Sequence, residues 1–102
     1  MFAPNEEQWR QDCKQAAELL RQDGWCQGTS RKPTGERCLM NAVRGATGYT
    51  QNTILNSGRY GDVRSRLIEK LGVPYPAIWN DDSMRTKEEV IDLLEDMAVS
   101  FA

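Results

Sequence analysis

A thiol beside a turn is the first candidate for chemistry in this chain. Cys26, within Gly24-Trp25-Cys26-Gln27-Gly28, could attack a carbonyl or a disulfide as a thiolate. The chain contains no histidine, so a Cys–His pair is impossible and only a nearby Arg, Lys or helix N-terminus could activate the sulfur. The competing reading, in which Trp25 and Cys26 plug the core behind the first helix, is the one we adopt. The three cysteines, Cys13, Cys26 and Cys38, match neither C-x-x-C nor a zinc-ligand spacing. Each is expected to be a small buried hydrophobe in a reducing compartment, with a Cys26–Cys38 bridge across a hairpin as the minor alternative.

Other side chains invite chemistry less directly. Asn80-Asp81-Asp82-Ser83 is rich in oxygen but lacks the spaced acids and distant Glu of an EF-hand. Its expected role is mechanical: polar side chains accepting backbone amides in a turn before the last helix. Gly45-Ala46-Thr47-Gly48 lacks the Gly-Lys-Ser/Thr ending of a phosphate loop. The adjacent pairs Glu88-Glu89 and Asp81-Asp82 suit capping and solvation better than acid–base work, because neighbours in sequence diverge on a helix. No residue is assigned a catalytic, metal-binding or cofactor-binding role, and no cofactor is expected.

Charge is unevenly distributed along the 102 residues. Residues 24–79 carry eight basic and three acidic side chains, whereas residues 80–102 carry two and seven. The plainer explanation is that acidic terminal helices pack near a basic middle and offset it. The sharper one is a nucleic-acid surface formed by Arg31, Lys32, Arg37 and Arg44, joined by Arg59, Arg64, Arg66 and Lys70, with Tyr49, Tyr60 and Tyr75 as stacking groups.

The elements that must position these residues read mainly as helices in one domain spanning 1–102. Asn5-Glu6-Glu7-Gln8 reads as a capping box, followed by a stripe of Trp9, Cys13, Ala16, Ala17 and Leu20 that Gly24 terminates. A Pro33-Thr34-Gly35 turn between Trp25-Cys26-Gln27-Gly28-Thr29 and Glu36-Arg37-Cys38-Leu39 suggests a short hairpin or an ordered loop. Leu39, Ala42, Val43 and Ala46 support a short helix, weakened by Gly45 and Gly48, and Thr50 to Asn56 can add a turn or two. Asp62 is placed as the cap of a third helix carrying Val63, Leu67 and Leu71 and stopped by Gly72. Pro74-Tyr75-Pro76 is extended and delivers Ile78 and Trp79 toward burial. Thr86-Lys87-Glu88-Glu89 caps a last helix with Val90, Ile91, Leu93, Leu94, Met97, Ala98 and Phe101 on its apolar side. The first and last helices should pair, with Trp9, Trp25 and Trp79 substantially buried.

Taken together, GWCQG, then Arg37-Cys38-Leu39 with Ala42, then Leu71-Gly72, Ile78-Trp79-Asn80-Asp81 and Arg85-Thr86-Lys87-Glu88-Glu89-Val90 resemble a family of small uncharacterised domains of actinobacteria and their phages, over about residues 10–98. The resemblance implies context: a cytoplasmic protein of an actinobacterium or its phage, and small phage products often bind a host protein. The start of the chain lacks the basic and apolar regions of a signal peptide, and no apolar stretch is long enough to cross a bilayer, so no membrane partner is expected. The leading functional expectation is a non-catalytic interaction module that binds a host protein or a second copy of itself. The rival is a nucleic-acid-binding accessory protein acting through Arg31, Lys32, Arg37 and Arg44.

Overall fold

The computed structural model describes residues 4–48 and 58–99. Within them the chain forms α1 (Pro4–Asp23), α2 (Leu39–Thr47), α3 (Gly58–Leu71), α4 (Pro76–Asn80) and α5 (Lys87–Val99). The architecture is mainly helical, and α1 packs most extensively against α5 and next against α2. The proposed turns at Thr50 to Asn56, together with Tyr49 and Phe101, lie outside the described residues.

The apolar stripe of α1 is buried as its spacing requires. Cys13, Ala16, Ala17 and Leu20 are fully enclosed, and Trp9 packs half-buried at their edge. Facing them are Leu39, Met40, Ala42 and Val43 of α2, Tyr60, Val63 and Leu67 of α3, and Val90, Ile91, Leu94 and Met97 of α5. Trp25 and Trp79 are half-buried against this core. Three small residues on the α1 stripe, at 13, 16 and 17, leave room for neighbouring helices to approach.

Gly24 ends α1 as expected. Its φ of 88° is left-handed backbone that glycine adopts without steric cost, and its amide donates to the Leu20 carbonyl at 2.9 Å. Gly45 sits inside α2 for a different reason. A Cβ there would lie 2.8 Å from Leu19 Cδ1 and 2.9 Å from an Arg37 guanidinium nitrogen, so an added methyl would require one or both of these side chains to shift.

Several helix starts differ from the sequence reading. Helix α1 is already formed at Pro4, whose missing amide proton is harmless in a first turn, so Asn5 is a helical residue and not a cap. Helix α3 begins at Gly58, and Asp62 lies inside it, accepting from Arg66 Nε at 2.9 Å one turn on. Helix α2 is capped by Cys38, whose Sγ accepts the Asn41 amide at 3.4 Å. By contrast, Thr86 and Glu89 form the expected capping box: Thr86 Oγ1 accepts from Glu89 N at 3.2 Å and Glu89 Oε1 from Thr86 N at 3.1 Å.

The segment between α1 and α2 is more tightly tied than a hairpin. Lys32 N donates to Glu36 O at 2.9 Å and Gly35 N to Lys32 O at 2.9 Å, closing the Pro33-Thr34-Gly35 turn. Arg37 pairs antiparallel with Arg31 and also parallel with Trp25. Residues 36–38 therefore run between two short stretches, and Trp25 to Cys26 pairs in the sense opposite to that of a hairpin arm. These are isolated bridges, so no strand or sheet is formed among the described residues.

Helix α4 corrects the expectation for Ile78. Its single turn buries Pro76 and Asn80. At 100° per residue Ile78 faces the opposite way from both, and it is exposed.

Candidate functional site

The two most conspicuous segments of the sequence meet in space at one buried side chain. Asn80 is wholly enclosed at the end of α4. Its Oδ1 accepts from the Trp25 indole Nε1 at 2.6 Å and from the Leu39 amide at 3.0 Å, while its Nδ2 donates to the Cys26 carbonyl at 3.1 Å. A carboxamide supplies both a donor and an acceptor from one planar group, and here it joins the GWCQG loop, the first turn of α2 and the end of α4. No apolar side chain of that size could satisfy all three partners.

Around this hub the two loops are stitched by neighbours. Gln27 Nε2 donates to the carbonyls of Asn80 at 2.9 Å and Asp82 at 2.7 Å. Asp81 Oδ1 accepts from the Gly28 amide at 3.0 Å and from Asn80 Nδ2 at 3.1 Å. Asp82 Oδ1 accepts from Met84 N at 2.9 Å, the turn role expected of it, whereas Asp81 serves a segment more than fifty residues away. The Arg85 guanidinium lies 3.7 Å from the Trp79 ring centre, donates to Trp79 O at 3.0 Å and bonds Glu89 at 3.0 Å. The WND and RTKEEV segments are thereby locked to each other as well as to GWCQG.

Cys26 occupies the interior of this arrangement. Its Sγ donates to the carbonyls of Thr29 and Glu36, each at 3.5 Å. Burial pushes its thiol above the ordinary range, and neighbouring Cys38 adds to that shift, the reverse of the activation needed by a thiolate that attacks a substrate first. Cys13 is pushed up to about 12, chiefly by burial and then by the charge of Asp12. All three thiols are free and buried.

The basic residues are distributed by their carboxylate partners. Arg37, only 13% exposed, directs its guanidinium inward to Asp23 at 2.8 Å and Asn41 at 2.9 Å. Arg31 reaches the same Asp23 oxygen at 3.8 Å, so these two meet on an acid. Lys32 is exposed on the turn, and Arg44 lines a cleft together with Asn41 of the same helix. Arg59 grips the buried Asp12 with two bonds, at 3.0 and 2.5 Å. Arg66 stacks on Trp9 at 4.2 Å, and Lys70 approaches Asp96 at 3.6 Å. Acids of α1 and α5 thus offset bases of the middle segment. Of the three tyrosines, Tyr60 is in the core and Tyr75 is exposed.

The cleft beside the hub, about 210 Å³, is lined by Gly28, Ser30, Cys38, Met40, Arg44 and Asp81. Others of about 190 Å³ beside Trp9 and about 330 Å³ between α1 and α5 are likewise small or shallow against the roughly 300 to 1,000 Å³ of ligand pockets. Asn80 as an organising residue escaped the sequence reading. Its signal was the polar residue closing an apolar Ile78-Trp79 pair, with the indoles of Trp25 and Trp79 each needing a partner for its N–H.

These features define a small helical domain whose two sequence signatures form one internal polar junction. The chain belongs to a family of unknown function, DUF6197, whose model matches residues 4–99. Neither the curated proteins nor the solved structures compared with it contain a significant match.

Proposed function

We propose that this domain is a non-catalytic interaction module of an actinobacterium or its phage, acting in the cytoplasm by binding a protein partner through the surface of residues 75–84. The observation that carries this reading is the exposure of Tyr75 (57%), Ile78 (69%) and Met84 (82%) within ten residues, on a segment anchored from behind by Asn80. Large apolar side chains gain roughly 1.5–3 kcal/mol each when fully removed from water, and a surface already held rigid loses little entropy on binding. Asp81 and Asp82 are exposed beside these residues, and 75–84 contains no base. The complementary partner presents apolar side chains flanked by Lys or Arg.

The test is affinity capture from actinobacterial lysate with and without nuclease, using wild type, Ile78→Asp and Met84→Asp. The reading expects a protein captured regardless of nuclease, lost with either substitution and weakened by salt. Capture of nothing, or capture untouched by both substitutions, contradicts it. Nuclease-sensitive capture would instead favour nucleic acid contacted through Lys32, Arg31 and Arg44. Sedimentation showing a dimer that Ile78→Asp dissolves would identify the partner as a second copy.

A further inference from the structure

Cys26 and Cys38 are placed opposite each other by the parallel pairing of Trp25 with Arg37. That pairing is defined by two bonds, Arg37 N to Gly24 O at 3.0 Å and Cys26 N to Arg37 O at 3.0 Å. In a parallel pair the residues following a bridged couple lie side by side on one face, separated by about 4.8 Å across the ladder. Disulfide-linked residues have Cα atoms about 4.4 to 6.8 Å apart, so the register meets the spacing a bridge requires. The Cys26 sulfur reaches the 36–38 stretch, donating to the Glu36 carbonyl at 3.5 Å, and Cys38 is near enough to add to the upward shift of the Cys26 thiol.

The two thiols differ in access. Cys38 lines the cleft of about 210 Å³, with its Sγ at the N-cap of α2 accepting the Asn41 amide at 3.4 Å. Cys26 does not line that cleft and is held by two carbonyls. Cys13 sits within the α1 stripe and is wholly enclosed among the core helices.

We infer that Cys26 and Cys38 form a reversible thiol-oxidation site, in which a hydroperoxide entering the cleft oxidises Cys38 and Cys26 resolves it to a disulfide. The Cys38 sulfur attacks the peroxide oxygen, giving Cys38–SOH and releasing the alcohol, or water from hydrogen peroxide. The Cys26 sulfur then displaces the hydroxyl, which leaves as water with the second thiol proton. Two thiols and one hydroperoxide become one disulfide, one alcohol and one water, and a dithiol reverses the bridge by exchange. The bond closes the loop of residues 26–38 and draws the Cys38 sulfur from the Asn41 amide, coupling the loop's redox state to the start of α2.

The experiment treats native protein with hydrogen peroxide, alkylates the remaining thiols, and maps the peptides without reduction. The expected result is a Cys26–Cys38 linked peptide that dithiothreitol removes, Cys13 free, and no such preference when the protein is oxidised in urea. In Cys26→Ser, dimedone should label Cys38 as the trapped sulfenic acid. Cys13→Ser should leave the linkage unchanged, which separates the pairing from any general loss of folding. Cys38 oxidised to sulfinic acid in the wild type, or both thiols still free after native treatment, overturns the proposal.

Discussion

The enclosed Asn80 side chain makes three hydrogen bonds to two separate segments, the GWCQG loop and the first turn of α2, and an unmade buried bond costs about 1–3 kcal/mol per group stranded. Asn80→Ala strands the Trp25 indole, the Leu39 amide and the Cys26 carbonyl together. It is expected to destabilise the domain by about 3 kcal/mol or more, measured by urea denaturation. Cys13 supplies a pH signature at the same scale. Its thiol is raised from 9.0 to about 12 in the folded chain, so the unfolded chain ionises first. The associated stability is intact below pH 9 and is lost as pH rises toward 12. Stability measured across that interval should contain a downward component that Cys13→Ala lacks, and Cys13 should resist alkylation in native protein at pH 9.

At the scale of the helix, the sequence was legible where local chemistry decides and silent where packing decides. Thr86 and Glu89 satisfy each other within one turn, so spacing alone locates the start of α5. Thr86→Ala should cost about 1 kcal/mol by thermal melting. Asn5 and Asp62 carry the same kind of side chain, yet the backbone is already helical before each of them, because Pro4 and the packing of Tyr60 against the core extend the helices backwards. The Cys38 cap was invisible because a thiol is a weak acceptor seldom used in that role. Gly45 looked like a weakness in α2, since helix propensity alone favours Ala by about 1 kcal/mol. The structure reverses that sign: Arg37, pinned by Asp23 and Asn41, stands 2.9 Å from the position a Cβ would take. Gly45→Ala should therefore lower stability by about 1 kcal/mol, and a gain on urea denaturation would show that Arg37 yields freely.

Across the whole molecule, long-range polar contacts complete what the helix pairing begins. Pairing of the first and last helices followed from their apolar stripes, but no local pattern marks Asp12 as buried and held by Arg59 from forty-seven residues away. Arg59 also donates to the Ala46 carbonyl at 3.1 Å, so one guanidinium ties α1, α2 and α3 together. Its side chain is half exposed, while that of Asp12 is 3% exposed. Arg59→Met should cost about 2 kcal/mol, between the value of a surface pair and that of a buried one, and Asp12→Asn in the same background should recover part of the loss in a double-mutant cycle.

The Asn80 amide is the internal fastening of the GWCQG and WND segments, and hydrogen exchange measured by NMR at the Trp25 indole and Leu39 amide tests that role directly. Both protons are expected to exchange slowly in the wild type, at rates near those of core α1 amides. Both should accelerate in Asn80→Ala under conditions where α1 and α5 amides stay protected. Rapid exchange of the two protons in the wild type, or unchanged protection in the variant, would show that Asn80 does not fasten the two segments.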